Sequence, residues 1–212
     1  MSHFSTDART LVEAHALAFS RRDEPILRPL DFHLEAGELS FVEGDNGSGK
    51  TTLLNILAGL LRPSSGEVRI SGYPPGTDGA RAETRLLGHQ LGLKGDLSAR
   101  ENLRVSVGLY GCRKGMTADL CLTEVGLRGF EDEPVRSLSA GQKKRVALAA
   151  LNLGNARLWL LDEPFANLDR TGIDLVNIML DRHLQRGGAA LVTTHGAVSF
   201  RQEEPRKLRL NL

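Results

Sequence analysis

The strongest constraint on the fold is a glycine-rich stretch that joins two apolar segments. The first segment, LSFVEG at residues 39–44, is short and ends in glycine, which predicts a buried strand. The second, at residues 51–61, spaces its leucines and isoleucine as a largely buried helix does. The stretch between them matches the pattern G-x-x-x-x-G-K-[ST] through Gly44, Gly49, Lys50 and Thr51. A strand, a glycine loop and a helix in this order predict a phosphate-binding site.

This loop, residues 44–52, is called the phosphate loop below. Glycine lets the backbone curl so that successive N–H groups converge on one phosphate, and the helix start adds partial positive charge. We expect Lys50 to reach the outer phosphates of a nucleotide and Thr51 to place its hydroxyl on Mg²⁺. The residues predicted to bind the nucleotide are Gly44, Asp45, Asn46, Gly47, Ser48, Gly49, Lys50, Thr51 and Thr52.

A second segment, LWLLDEP at residues 158–164, supplies the carboxylates that such a site needs. Its apolar run followed by Asp162 predicts a buried strand that delivers a carboxylate at its carboxyl end, where open α/β sheets bind their ligands. Asp162 is expected to hold Mg²⁺, because this ion prefers hard oxygen ligands. Glu163 is expected to orient or deprotonate the water that attacks the γ-phosphate.

Strand and helix patterns alternate along the chain, which predicts an α/β domain with a mainly parallel sheet. Two alternating segments before the phosphate loop predict an antiparallel edge sheet. Residues 73–85 are rich in Pro, Gly and charge and predict a loop, and LLGHQLG at 86–92 predicts a strand that stops at Gln90. Ser98 with Glu101 predicts a capping box at a helix start.

The order of the motifs narrows the class of nucleotide-binding protein. After the phosphate loop come Gln90, then LSAGQ at residues 138–142 (the signature segment), then the acidic pair, then Asp169 and His195. With its motifs in this order, the sequence resembles ABC-type ATPase subunits over almost its whole length. A P-loop kinase is an alternative that the signature segment makes improbable.

The resemblance implies a P-loop NTPase fold with a RecA-like core, an antiparallel β edge sheet and a small helical subdomain. It implies one domain over residues 1–212, with a nucleotide-binding core at 1–90 and 143–212 and a helical subdomain at about 91–142. ATP and Mg²⁺ are the implied cofactors.

The same resemblance implies roles for three further residues. Gln90 would sense Mg²⁺ and a transmembrane partner, and would join Thr51 and Asp162 around the metal. Asp169 would belong to the D-loop. His195 would contact the γ-phosphate, so that the implied catalytic residues are Lys50, Glu163 and His195.

The segment RSLSAGQKKRV, residues 136–146, carries charges that do not suit a helix start. Ser139 predicts a helix cap, yet Lys143, Lys144 and Arg145 follow it at the positive end of that helix. In an ABC dimer each signature segment faces the phosphate loop of the other subunit, so the resemblance implies a homodimer that brings a γ-phosphate to this helix. The alternative is that at least two of the three basic side chains point to solvent or to nearby acids. The residues implied to contact the partner's ATP are Ser139, Ala140, Gly141 and Gln142, with Ala140 where the family has glycine.

Longer segments narrow the resemblance: GHQLGLKGDLSARENL, LSAGQKKRVALA, ARLWLLDEPFANLD and LVTTHGAV. They are similar to the ATP-binding subunit of the haem exporter of bacterial cytochrome c maturation, which has L-S-A-G-Q and a tryptophan before the acidic pair, as at Trp159. That family implies ATPase subunits on integral membrane permease subunits, peripheral on the cytoplasmic side of the bacterial inner membrane. The complex would drive release of a haem-loaded chaperone for cytochrome c assembly, and the resemblance leaves open whether haem itself is moved.

Other functions stay open. The chain fits the ATPase subunit of another small ABC transporter that moves lipid, lipoprotein or solute, and it fits a soluble ABC ATPase of iron–sulfur assembly. A haem-ligand role for His89 is less favoured than that of a packed strand residue.

The adenine contact is also open, because most ABC ATPases stack the base on an aromatic residue where this chain has FSRRDEP. Arg21 or Arg22 would stack on it through a planar guanidinium, or Phe19 would do so after a register shift.

Composition limits the remaining classes. A net charge of +1 gives no bulk field for nucleic acid. The two cysteines match no metal or CxxC spacing, which favours a reducing compartment. The N-terminal MSHFSTDART has neither the basic nor the apolar region of a signal peptide, and the apolar run at 53–61 is shorter than a membrane span of about 18 residues. We therefore expect no direct membrane span.

Overall fold

The computed structural model describes residues 9–194 and 205–210. The described chain divides into two compact units. The first, called the sheet unit, draws its residues from 1–86, 156–164 and 180–212, and the second, called the helical unit, from 87–155 and 165–179. The sequence-predicted subdomain at about 91–142 stays a prediction.

Eight strands are formed by the described residues. They are β1 Thr10–Arg21, β2 Glu24–Glu35, β3 Leu39–Glu43, β4 Ser65–Ile70, β5 Thr84–Leu87, β6 Leu158–Asp162, β7 Ala189–Thr193 and β8 Arg206–Arg209. The α-helices are α1 Lys50–Leu57, α2 Asp78–Glu83, α3 Ala99–Tyr110, α4 Ala118–Glu124, α5 Ala140–Leu153 and α6 Arg170–Gln185. A short 3₁₀ turn covers Val135–Ser137.

The central sheet has the strand order β5-β6-β7-β3-β8, and its β6–β7, β7–β3 and β3–β8 pairs are parallel. Strands β6 and β7 are buried along their whole length, as strands covered on both faces must be. The carboxyl ends of β3, β6 and β7 therefore meet at one edge, and the phosphate loop follows β3 at that edge.

A second sheet of order β2-β1-β4 is antiparallel, as the sequence predicts. Strands β1 and β2 are joined by a two-residue turn at Arg22 and Asp23, both with positive φ (52° and 65°), which is the geometry that suits the twist of a hairpin. The buried face of this sheet and the β3, β6 and β7 strands contribute to one apolar core with helix α1.

Trp159 is buried on β6 and stacked on His183 of helix α6, with ring centroids 3.8 Å apart. The His183 Nε2 atom is within hydrogen-bonding distance of the Arg157 and Ala189 carbonyl oxygens (3.1 and 3.2 Å), so the buried imidazole is fixed at the start of β6 and β7.

In the helical unit, α3, α4 and α5 pack against one another. The predicted capping box is present at α3: the Ser98 hydroxyl accepts from the Glu101 amide and the Glu101 carboxylate accepts from the Ser98 amide. Asn102, buried on α3, donates to the carbonyls of Lys94, Leu97 and Ser98 and accepts from the Lys94 amide, which fixes the segment before the helix.

The predicted α/β fold class is confirmed, whereas two local predictions are wrong. Residues 73–85 contain helix α2, because Thr77 caps its first turn and Ala80 is buried. The strand predicted at 86–92 begins earlier and ends at Leu87, so Gln90 follows it in an irregular segment.

Candidate functional site

The phosphate loop is held against strand β2. Gly49 has a φ of 92°, and a Cβ atom there would lie 2.7 Å from the Ile26 carbonyl oxygen, so any side chain at this position would collide with the backbone of β2. The outer part of the loop, residues 44–47, is exposed, whereas Ser48, Gly49 and Lys50 are buried. The first half of the loop therefore faces solvent, and the residues next to helix α1 are packed inside the protein.

Lys50 begins helix α1, and its ammonium group turns back over the loop. Its Nζ atom donates to the carbonyl oxygens of Gly44 (2.6 Å) and Asp45 (2.9 Å). The cation thus lies among the backbone groups that the sequence predicts to surround the phosphates.

Ser48 carries a buried hydroxyl oxygen that has no hydrogen-bond partner among the described residues. A buried polar atom without a partner is uncommon in folded proteins and often marks the place of a ligand or ion. The orphaned hydroxyl of the phosphate loop therefore fits a site for an anionic ligand.

Asp162 ends strand β6 directly beside the start of α1 and the end of β7. The Thr51 hydroxyl donates to its Oδ2 atom at 3.0 Å, and the Thr193 hydroxyl donates to its Oδ1 atom at 2.6 Å. The carboxylate is buried, with 7% of the residue exposed. Both oxygens of this carboxylate are therefore oriented by neutral hydroxyl groups.

These oxygens fit the divalent cation that the sequence predicts. Mg²⁺ is held in phosphate sites by one or two carboxylate or hydroxyl groups beside the phosphates, and here the Thr51 hydroxyl and the Asp162 carboxylate are in contact. Among the described residues there is no cluster of three or more His, Cys, Asp or Glu that would bind a metal by itself.

Glu163 follows with a backbone conformation that side-chain-bearing residues rarely adopt, since its φ is 48°. Its amide donates to the Thr193 hydroxyl oxygen at 3.1 Å. Thr193 thus contacts both acidic residues, and sequence reasoning missed it. The signal was faint: a polar residue at the end of the otherwise apolar strand AALVT.

Helix α5 begins in the signature segment, as the sequence predicts. The Ser139 hydroxyl accepts from the Gln142 amide (3.2 Å), and the Gln142 side chain accepts from the Ser139 amide (2.9 Å), which forms a complete capping box. A Cβ atom on Gly141 would lie 3.2 Å from the Asn167 carbonyl oxygen, so the helix start lies close to the loop before α6. The amides of Ala140 and Gly141 lie between the two capped ones, in the first turn, where a helix favours anions.

The three basic residues of this helix do not cluster at its positive end. Lys143 donates to the Arg136 carbonyl oxygen (3.3 Å), and Lys144 is buried. Arg145 donates to the Val125 carbonyl oxygen (2.9 Å), to the Asp169 carboxylate (3.0 Å) and to the Thr171 hydroxyl (3.1 Å). Asp169 therefore compensates the charge of Arg145 inside the helical unit, whereas Lys143 donates to a neutral carbonyl oxygen.

Asp169 precedes α6 and caps it. Its Oδ1 atom accepts from the Gly172 amide (2.9 Å), and Oδ2 accepts from the Thr171 hydroxyl (2.9 Å). The Gly172 amide, the Thr171 hydroxyl and the nearby Arg145 hold the pKa of this carboxyl below its usual value.

Three further residues singled out in the sequence are Gln90, His89 and His195. Gln90 is exposed in the segment after β5, and His89 beside it is also exposed, so the expectation that His89 packs within a strand is wrong. The predicted His195 lies outside the described residues.

For the adenine contact, Phe19 packs against the core, while Arg21 and Arg22 are exposed at the hairpin turn.

Across the described residues, no helix is both long enough and apolar enough to cross a membrane.

Comparison with known proteins shows the family to which this chain belongs. Residues 27–166 match the family model of the ABC transporter. The chain is 54% identical over 203 residues to the cytochrome c biogenesis ATP-binding export protein CcmA of Xanthomonas oryzae, covering 96% of this chain and 95% of that protein. It is 49% identical to the protein of the same name from Methylococcus capsulatus, covering 89% of this chain and 92% of that one.

Solved structures of ABC ATPase subunits have a similar fold. An ATP-binding subunit of an ABC transporter superposes with a TM-score of 0.79 at 25% identity, covering 88% of this chain and 80% of that one. An ATP-binding cassette solved as a dimer in a post-hydrolysis state with ADP and Pi gives a TM-score of 0.75 at 26% identity, covering 88% of each chain. The chain therefore belongs to the ABC transporter family of ATPases and, within it, groups with the cytochrome c biogenesis ATP-binding export proteins.

Proposed function

We propose that this chain hydrolyses ATP to drive haem export, or release of a haem-loaded chaperone, in cytochrome c biogenesis. The observation that carries the hydrolytic part is the contact between the Thr51 hydroxyl and the Asp162 carboxylate at the base of a phosphate loop with an unpaired Ser48 hydroxyl. The biological part is supported by the names of relatives that are about half identical over nearly the whole chain.

In this proposal each residue of the sheet unit has one task. The phosphate loop binds the phosphate chain through its amides, and Lys50 neutralises charge on the outer phosphates. Thr51 and Asp162 would hold Mg²⁺, and the contribution of Gln90, a residue of the helical unit, stays a prediction from the sequence. Bound there, Mg²⁺ would supply positive charge that offsets the negative charge developing on the phosphates. Glu163 orients or deprotonates the attacking water, and His195 contacts the γ-phosphate.

Three substitutions test these tasks. Lys50→Ala should abolish nucleotide binding or turnover, because the outer phosphates lose their cation. Glu163→Gln should bind ATP yet fail to hydrolyse it, and His195→Ala should reduce turnover with little loss of ATP affinity. Fluorescent-nucleotide binding and phosphate release measure both quantities, with Lys114→Ala, an exposed lysine of the helical unit, as the control. Full turnover in Glu163→Gln would remove Glu163 as the catalytic carboxylate.

We also propose that two copies of the chain hydrolyse ATP as a homodimer, with the signature segment of each copy on the γ-phosphate held by the other. The support is the helix start at Ser139, whose first-turn amides suit an anion, and the dimeric state of a solved relative. Ser139→Arg should block hydrolysis while leaving ATP binding to the monomer nearly intact. Glu133→Arg, an exposed site in the helical unit, is the matched control. Hydrolysis at the normal rate in Ser139→Arg would contradict the dimeric site.

For the base, we propose that a guanidinium from the hairpin turn, Arg21 or Arg22, lies on adenine in place of an aromatic ring. Phe19 is committed to the core, whereas both arginines are exposed on a strand pair whose Ile26 carbonyl contacts Gly49. Arg21→Ala and Arg22→Ala should separate the two: the stacking residue is the one whose loss weakens ATP binding more. If only Phe19→Leu weakens binding without destabilising the fold, the stacking residue is Phe19.

Integral membrane permease subunits complete the proposed complex, and the chain would lie peripherally on the cytoplasmic side of the inner membrane. The alternatives are another small transporter that moves lipid, lipoprotein or solute, and an ATPase of iron–sulfur assembly that needs no membrane subunit. Fractionation after co-expression with neighbouring genes decides between membrane and soluble classes. A protein that stays in the soluble fraction, in cells whose cytochrome c content does not depend on it, would contradict the export function.

A further inference from the structure

We infer that Thr193 is a positioning residue for ATP hydrolysis, which fixes the Asp162 carboxylate and the backbone of Glu163 with one hydroxyl group. The inference rests on the proposed roles of Asp162 and Glu163, and it adds a residue outside the motifs that define the site.

The contacts of Thr193 are specific on both sides. Its hydroxyl donates to Asp162 Oδ1 at 2.6 Å and accepts from the Glu163 amide at 3.1 Å. The parallel register of β6 and β7 pairs Asp162 directly with Thr193, so the backbone ladder sets this geometry. The Thr193 hydroxyl therefore donates to the carboxylate of Asp162 and accepts from the backbone amide of Glu163.

Packing alone does not require a hydroxyl here. Thr193 is 1% exposed, and every other residue of β7 is apolar. Valine has nearly the same shape as threonine, and a buried hydroxyl is costly unless it is hydrogen-bonded. The polar atom is therefore explained by its two partners rather than by the strand.

The backbone conformation of Glu163 explains why its hydrogen bond to Thr193 would matter for catalysis. Its φ of 48° lies in the left-handed region, which is unfavourable for a residue with a side chain and persists only where the surroundings enforce it. The hydrogen bond from its amide to Thr193 is one such enforcing contact. Loss of that bond removes one of the contacts that enforce this conformation, so we expect the direction of the Glu163 side chain to change.

Asp162 is affected through its other bond. The Thr51 hydroxyl holds Oδ2 and the Thr193 hydroxyl holds Oδ1, so the plane of the carboxylate is set from two sides. Both partners are neutral, so the carboxylate is oriented without losing the charge that a divalent cation requires.

The test compares Thr193→Val, which removes the hydroxyl at nearly constant shape, with Thr193→Ser, which keeps it. We expect Thr193→Val to lower kcat by about 10- to 100-fold with little change in KM for ATP, and Thr193→Ser to stay within about threefold of the original chain. The matched control is Thr84→Val, because the buried Thr84 hydroxyl has no hydrogen-bond partner among the described residues. That variant should hydrolyse ATP normally.

A second measurement needs no ATP. Amide hydrogen exchange followed by NMR should show that the Glu163 amide loses at least about tenfold of its protection in Thr193→Val and keeps it in Thr193→Ser. This readout also serves if Thr193→Val is too unstable for kinetics, because hydrogen exchange can be measured at low temperature.

The outcomes separate two failures. Unchanged kcat and unchanged Glu163 protection in Thr193→Val would overturn the inference, and so would equal damage in Thr193→Val and Thr193→Ser, which indicates packing. If Glu163→Gln hydrolyses ATP normally, the proposed role of Glu163 fails instead. If Glu163→Gln is inactive while Thr193→Val is fully active, the proposed function stands and the role of Thr193 does not.

Discussion

Asp162 and Asp169 are separated by a short loop in the sequence, yet their surroundings differ in the way that decides what a carboxylate does. Asp162 is buried and receives hydrogen bonds from two hydroxyl groups. Asp169 is exposed and receives bonds from the Gly172 amide, the Thr171 hydroxyl and the Arg145 guanidinium. The first carboxylate is oriented by neutral groups, and the second is neutralised by a cation.

From this comparison we propose that charge compensation, rather than the number of hydrogen bonds, distinguishes a carboxylate with a chemical role from one with a structural role. A buried carboxylate that is oriented but not neutralised keeps its affinity for a divalent ion, at a cost in desolvation. A carboxylate that is neutralised by arginine and caps a helix stabilises local structure. Four predictions test the different roles of the Asp162 and Asp169 carboxylates.

The largest effect is expected for Asp162→Asn. The amide keeps the shape and one of the two hydrogen-bond-accepting oxygens but loses the charge, so ATP turnover should fall by at least about 100-fold. The temperature of thermal unfolding of the nucleotide-free protein should change little, because removing a buried charge that no described side chain neutralises offsets the loss of one accepting oxygen. Phosphate release and calorimetry measure the two effects. Normal turnover, or a clear drop in the unfolding temperature, would contradict the reading of Asp162 as a chemical group.

Arg145→Met should act on stability. It removes three hydrogen bonds that join α5 to the end of α4 and to the cap of α6, so the free energy of unfolding should fall by about 1 to 3 kcal/mol. Denaturant unfolding checks this value. Arg136→Met is the control, since Arg136 forms an exposed ion pair with Asp96, and such pairs contribute little.

Asp169→Asn should have a smaller effect than Arg145→Met. The amide oxygen still accepts from the Gly172 amide, so the helix keeps a cap while the charge on Arg145 loses its partner. The unfolding temperature should fall by a few degrees at most. A larger loss in Asp169→Asn than in Arg145→Met would mean that the carboxylate charge itself dominates this cluster.

The smallest effect is a pH dependence. Because the pKa of Asp169 is lowered in the folded chain, its ionised form adds stability above the unfolded value of about 3.9, and that stability is lost as pH falls through the folded pKa. The difference in unfolding temperature between the original chain and Asp169→Asn should be full near neutral pH and shrink below about pH 4. A difference that is constant with pH would show that this ionisation is not linked to folding.

Local signals in the sequence predicted most of the fold. The capping residues Ser98 and Ser139 mark helix starts, and the apolar run before Asp162 marks a central strand. Helix α2 was missed because Pro, Gly and charge dominate its sequence, while its stability depends on the Thr77 cap and on the burial of Ala80.

The candidate site was less predictable where partners are far apart in the chain. The role of Thr193 depends on the β6–β7 register, and the direction of Arg145 depends on where α6 begins. Neither is encoded in the spacing of nearby residues, because each arises only when distant segments pack. Lys50 and Asp162 could be predicted from the sequence because a glycine-rich loop and the end of an apolar strand are local patterns.

Trp159 is the chain's one tryptophan, and it lies face to face with His183 inside the sheet unit. It belongs to the same strand that ends in Asp162, so its fluorescence is an intrinsic optical reporter of that strand. Emission changes on adding nucleotide, divalent ion or denaturant can be assigned to this sheet without attaching a dye. The stacked imidazole of His183 makes the Trp159 emission sensitive to small shifts between β6 and the end of α6. The same emission can be used to monitor every variant described above.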